Sequence, residues 1–189
     1  MQTQNIATSF NFLETFYGQL LVELLGGMIG SFIFLFIILL ILRPKIDIAS
    51  FICKVQKEGK AYYTFKFVNK SFFHAHDLKI ELYVTKKIPM GRGKYNKTYQ
   101  KLMLLNSEVN YLHKKPIFNG SSDEYKHCML VSTSDNLENI LNNDDSAVLI
   151  RICLKHGLTG LSNVFEQDFA NNSDIKHSKF KPGPKFDVS

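Results

Sequence analysis

Two hydrophobic periods divide the chain. From Leu24 to Leu42 there are 19 residues without a charged side chain, and at about 1.5 Å of helical rise per residue such a run reaches about 28 Å, close to the hydrocarbon thickness of a bilayer. The stretch Leu20 to Leu42, LLVELLGGMIGSFIFLFIILLIL, is therefore predicted to be a single transmembrane helix. Pro44 is its expected stop, because proline cannot continue a helix and restricts the residue before it. Residues 1–19 are polar with interleaved aromatics, and Phe12, Leu13, Phe16 and Tyr17 fall on one helical stripe suited to a membrane interface.

Beyond the stop the period becomes two. Tyr63, Phe65 and Phe67 alternate with Thr64, Lys66 and Val68; Leu78, Ile80, Leu82 and Val84 alternate with Lys79, Glu81, Tyr83 and Thr85; Val148, Ile150, Ile152 and Leu154 alternate with Leu149, Arg151, Cys153 and Lys155. Each reads as a half-buried strand. Fainter strands are predicted at Ile46–Lys54, Tyr99–Leu105, Val109–Leu112, Tyr125–Thr133, Val164–Phe169 and Lys179–Val188. Turn clusters lie at Lys57–Lys60, Met90–Gly93, Asn119–Asp123 and Asn142–Ser146. Only Asp135–Leu141, DNLENIL, reads as helix, capped by Ser134 or Asp135. About seven to nine short strands with so little helix predict an all-β domain, an antiparallel immunoglobulin-like sandwich, over residues 43–189.

Composition adds direction. No Lys or Arg precedes residue 43, so all 23 basic side chains follow the span, against 15 acidic ones once Glu14 and Glu23 are set aside, a net charge near +8. Such a domain favours anionic partners, among them lipid headgroups, nucleotides, nucleic acid and acidic proteins. Arg43, Lys45, Lys54, Lys57 and Lys60 lie close behind the span, and the positive-inside rule then puts the N-terminus outside and the domain in the cytoplasm. Cys53, Cys128 and Cys153 form no CxxC pair and read as reduced thiols, which agrees. Sequons at Asn69, Asn96, Asn119 and Asn171 would matter only for the opposite placement.

Three places carry candidate chemistry. In the span, Gly26 and Gly30 form a small-xxx-small pair with Ser31 four residues from Gly27, a spacing that lets helix backbones approach, and Glu23 lies about one turn inside the outer edge. These residues point to self-association and a homo-oligomer. The segment Lys86–Lys101, KKIPMGRGKYNKTYQK, has six basic residues, two tyrosines and no acid. It reads as a long hairpin whose tip offers Arg92, Lys94 and Lys97 to phosphates, with Tyr95 and Tyr99 available for a base or a lipid interface. In HAHD, His74, His76 and Asp77 are metal-capable, joined at most by His127 and Cys128, but a polar turn is the ordinary explanation and no metal or other cofactor is expected. No GxSxG elbow, HExxH or Cys-His framework is present, so an enzyme is not expected.

Near the C-terminus, KHGLTGLSNVFEQDF (Lys155–Phe169) followed by IKHSKFKPGPKFDV resembles the end of a group of uncharacterised bacterial single-span membrane proteins with a cytoplasmic β domain. Gly157 and Gly160 would make the turn, and Leu158, Leu161 and Val164 its buried side. The resemblance implies architecture alone. The layout is also similar to the cytoplasmic domains of inward-rectifier potassium channels, but a selectivity filter and second span are missing. The expected function is a non-enzymatic binding or assembly protein of a bacterial inner membrane, meeting a cytoplasmic protein or an anionic nucleotide or lipid. The alternative is a membrane-disrupting or pore-forming effector of a stress or phage-defence system, triggered by ligand binding or oligomerisation.

Overall fold

The computed structural model describes residues 16–41, 43–116, 126–157 and 160–189, and the chain divides into two compact units between Ile41 and Leu42. The first contains helix α1, Phe16–Ile41, of 26 residues. Its section Tyr17–Leu40 is long and apolar enough to cross a membrane. Phe32, Phe34 and Phe36 are 64–67% exposed, an apolar surface that the interior of a bilayer would accept. The helix starts four residues before Leu20, so Phe16 and Tyr17 continue it without a break. Phe12 and Leu13 of the predicted stripe lie outside the described residues.

The second unit is built of strands: β1 (Ile46–Ile48), β2 (Ile52–Lys57), β3 (Lys60–Asn69), β4 (Ala75–Gly91), β5 (Lys94–Leu102), β6 (Glu108–Leu112), β7 (Cys128–Thr133), β8 (Ser146–His156), β9 (Ser162–Phe169) and β10 (Ile175–Lys176), with the short helix α2 (Leu137–Leu141) before β8. In one sheet β3 is central, with β7 on one side and β2 and β1 on the other; β10 adds to β2 in parallel. In the other the order is β5-β4-β8-β9, antiparallel throughout, with β6 beside the start of β4.

The inner faces follow the period-two pattern. Tyr63, Phe65, Phe67 and Val131 of one sheet and Leu78, Ile80, Leu82, Ile150 and Ile152 of the other enter a single apolar core. Burying each such side chain stabilises by about 1.5–3 kcal/mol.

Departures from the pattern have physical causes. Lys66 and Val68, expected to face solvent, are buried; Lys66 is covered because residues 177–189 cross the outer face of its sheet. Phe180 packs on Ala49 and Cys53 and stacks on Phe51 at 5.2 Å, while Lys66 Nζ donates to the carbonyls of Lys181 and Lys185, each at 2.7 Å. That crossing segment is the predicted strand Lys179–Val188, reduced to one bridge between Phe180 and Val188; Pro182 and Pro184 deny it ladder donors. The predicted strand Ile46–Lys54 breaks into β1 and β2, with Ala49 N turning to the carbonyl of Lys66. The predicted strand Tyr99–Leu105 begins earlier, at Lys94.

The cap of α2 is Asn136 rather than Ser134 or Asp135: its side chain accepts from Asn139 N and from the Tyr63 hydroxyl. Leu161 and Val164 face outward, 51% and 53% exposed, contrary to the buried side expected of them, because Val164 stands opposite Cys153 on the outer face of the sheet. Leu158 and the turn Asn119–Asp123 lie outside the described residues.

Candidate anionic-partner site on the β4–β5 hairpin

The hairpin extends past its sheet. β4 pairs with β8 only as far as Lys86, and Lys87 N still donates to the Asp145 carbonyl at 3.0 Å, so the rungs from Ile88 to Gly91 are held by β5 alone. Every residue from Lys86 to Lys101 is exposed. At the tip Gly91 pairs with Lys94, leaving Arg92 and Gly93 as a two-residue loop. Both have positive φ, 51° and 73°, as a type I′ turn demands, because its twist matches that of the strands. Gly93 adopts this without cost. Arg92 does not: asparagine or glycine would sit there more easily, and a side chain with a Cβ stores about 1 kcal/mol in that region.

Cross-strand register sorts the side chains. Lys87 stands opposite Lys97 and Pro89 opposite Tyr95, while on the other face Lys86 stands opposite Thr98 and Ile88 opposite Asn96. Like charges directly opposite destabilise a pair of strands. Lys87 and Lys97 are partly compensated, for they line a cavity of about 200 Å³ with Asp144, Asp145 and Asp168. Of the predicted tip residues, Lys97 is thus several rungs back, facing acids, whereas Arg92, Lys94 and Tyr95 are at or beside the turn. Arg92 and Lys94 make no ion pair among the described residues.

The hairpin's base is fixed on the outer face of the sheet. The Glu81 carboxylate, 12% exposed, meets Lys79 at 3.1 Å and Lys101 at 3.2 Å and accepts the Tyr83 hydroxyl at 2.8 Å. Burial alone would raise the Glu81 pKa; the bonds from Tyr83, Lys79 and Lys101 outweigh it and hold the carboxyl at about 2. Arg151 lies over the Tyr83 ring at 5.4 Å and pairs with Glu166 at 2.6 Å. Lys101 is consequently a structural cation. The free cations are distal.

The small residues of α1 form a second candidate surface. At 100° per residue, Glu23, Gly26, Gly27, Gly30 and Ser31 fall within an arc of about 140°, and a Cβ at any of the three glycines would meet nothing within 4 Å. The Ser31 hydroxyl donates back to the Gly27 carbonyl at 2.8 Å, so it needs no partner from another chain.

At HAHD the fold assembles a different set from the expected one. His74 stacks on Tyr111 at 4.8 Å and meets His113 edge-on at 5.5 Å, while His76 meets Tyr111 at 5.0 Å. His113 and Tyr111 carried no signal in the sequence, and Tyr111 wedges between the imidazoles. His74 Nδ1 accepts from Lys114 N, and burial, then His113, Lys114 and His76, push its pKa below the ordinary value. His127 is buried near Lys70 and Lys115 instead. Among the described residues no group of three or more His, Cys, Asp or Glu side chains is arranged to hold a metal.

No protein-family model matches the chain, and no curated protein matches it.

Proposed function

We propose that the chain is a single-pass, membrane-anchored, non-enzymatic binding and assembly protein. Its β domain lies on the cytoplasmic side of a bacterial inner membrane, and the β4–β5 hairpin binds an anionic partner. One observation carries this reading: sixteen exposed residues with six cations and no acid, with Arg92 kept in a backbone conformation that favours glycine. Arg92 and Lys94, at and beside the turn, make no ion pair among the described residues, so an anion at the tip meets cations that no acid already holds. The basic flank behind the span supports the orientation. Asn69, the first sequon, is fully buried, with its amide donating to the carbonyls of Phe73 and His113, so a glycan has no access there. The strand order β2-β3-β7 facing β5-β4-β8-β9 supports an immunoglobulin-like sandwich.

The test uses the full chain in nanodiscs of zwitterionic lipid, with heparin as a generic polyanion. Binding should weaken steeply with salt and drop at least about tenfold in the double variant Arg92→Glu, Lys94→Glu. Equal binding by the variant defeats the reading.

A second reading, the membrane-disrupting effector, is favoured by Glu23 sharing the small-residue face of α1, since a bundle packed on that face gathers one acid per copy near its axis. Induced expression with a membrane-potential dye separates the two: the effector depolarises cells and Gly30→Leu abolishes the effect, whereas a binding module leaves the potential unchanged.

A further inference from the structure

We infer that the anionic partner of the β4–β5 hairpin is the surface of a bilayer containing acidic phospholipid. This rests on the reading of that hairpin as the anionic-partner site and names its occupant. Apolar side chains lie among the cations. Ile88 is 44% exposed and Met90 67%, both beside the turn, and Tyr95 is 66% exposed, whereas Tyr99 stands opposite Thr85 and packs on Tyr83 at the hairpin's base. Aliphatic side chains add nothing to the recognition of a phosphodiester backbone, and a soluble nucleotide offers them no apolar phase. A headgroup boundary takes all three kinds of side chain at once: aliphatics reach the acyl region, Tyr95 lies at headgroup depth, and Arg92 and Lys94 meet lipid phosphate.

The geometry of the strands agrees. The rungs beyond Lys87 pair only with each other, so the tip can enter the headgroup layer without displacing any strand of the sheet. The distal cations are free while Lys101 is bound to Glu81, which concentrates the available charge where the apolar side chains are.

The experiment compares hydrogen exchange of the full chain in nanodiscs of phosphatidylcholine with nanodiscs containing about a quarter phosphatidylglycerol. The inference predicts that amides of residues 88–96 exchange at least about fivefold more slowly in the acidic discs. The protection should be lost in about 0.5 M salt and in Arg92→Glu, Lys94→Glu, weakened in Met90→Ser, and kept in Arg92→Lys. All these positions are exposed, so the fold is undisturbed. Equal exchange in both lipids overturns the inference. If heparin binding persists in that case, the general reading survives and only the lipid assignment fails. Stronger protection by a single-stranded oligonucleotide in zwitterionic discs gives the site to nucleic acid, and protection by millimolar glycerol phosphate gives it to an isolated phosphate; either result also overturns the lipid surface as partner.

Discussion

Replacing Arg92 by asparagine tests whether the tip of the hairpin trades stability for binding. Arg92 sits at φ 51° and is followed by Gly93 at φ 73°, and the change creates Asn-Gly, the preferred type I′ sequence. Asparagine keeps a Cβ, but its short amide side chain bonds locally in the left-handed region, so the change relieves about half of the strain, about 0.5 kcal/mol. No packing is lost, because every side chain from Lys86 to Lys101 is exposed. The rungs beyond Lys87 open locally, without global unfolding, since β5 alone holds them, so about 0.5 kcal/mol appears as about a twofold slowing of amide exchange there. Hydrogen exchange of the full chain in zwitterionic nanodiscs, followed at Lys94 and its neighbours, reads this directly. The same variant should bind heparin more weakly and with a shallower salt dependence, having lost one cation. Unchanged or faster exchange would refute the claim that Arg92 is held at a cost, and undiminished heparin binding would refute its role at the site.

Other expectations follow from the base of the hairpin and the covered sheet face. The Glu81 pKa is about 2 in the folded chain against 4.5 ordinarily. Its contribution is therefore complete above about pH 4.5 and is lost as pH falls toward 2. Discounted for the exposed lysine partners it amounts to about 2 kcal/mol, and Glu81→Gln should remove both that stability at neutral pH and the corresponding acid slope in urea titrations. His74, His127 and His156 all have pKa values lowered chiefly by burial; their share of stability is present above pH 6.5 and declines below it, so urea midpoints should drop between pH 7 and pH 5. Lys66→Met removes the donor to the Lys181 and Lys185 carbonyls; it should cost about 1–3 kcal/mol and render residues 177–189 sensitive to limited proteolysis while the rest of the sheet resists. In Gly157→Ala the new methyl would lie 2.7 Å from the His74 carbonyl oxygen, so a loss of about 1–3 kcal/mol is expected in thermal melts.

How much of this was legible in the sequence depended on whether a side chain's surroundings were local. β4 and β8 read correctly because their alternating faces meet core and solvent along most of their length, as Ile80 and Ile150 do on one side and Glu81 and Arg151 on the other. Lys66 misread because what buries it lies 115 and 119 residues away in the chain. The hairpin was visible from Gly91 and Gly93 flanking Arg92, but the register that sets Lys97 opposite Lys87 and over the Asp144 cavity was not; a one-residue slip would have moved Lys97 to the other face. The histidine cluster was half visible, since His74 and His76 are neighbours in sequence while Tyr111 and His113 arrive by the pairing of β6 with β4. That Glu23, Gly26, Gly27, Gly30 and Ser31 share one face of α1 follows from the helical period alone.

The proposed partner surface depends most on which side of the membrane the hairpin occupies. A single cysteine placed at Lys97, in a chain with Cys53, Cys128 and Cys153 changed to alanine, can be challenged with a membrane-impermeant maleimide in intact and in permeabilised cells. Labelling only after permeabilisation is predicted, with the domain on the cytoplasmic side of the span. Full labelling in intact cells would contradict that placement and, with it, the proposed partner surface.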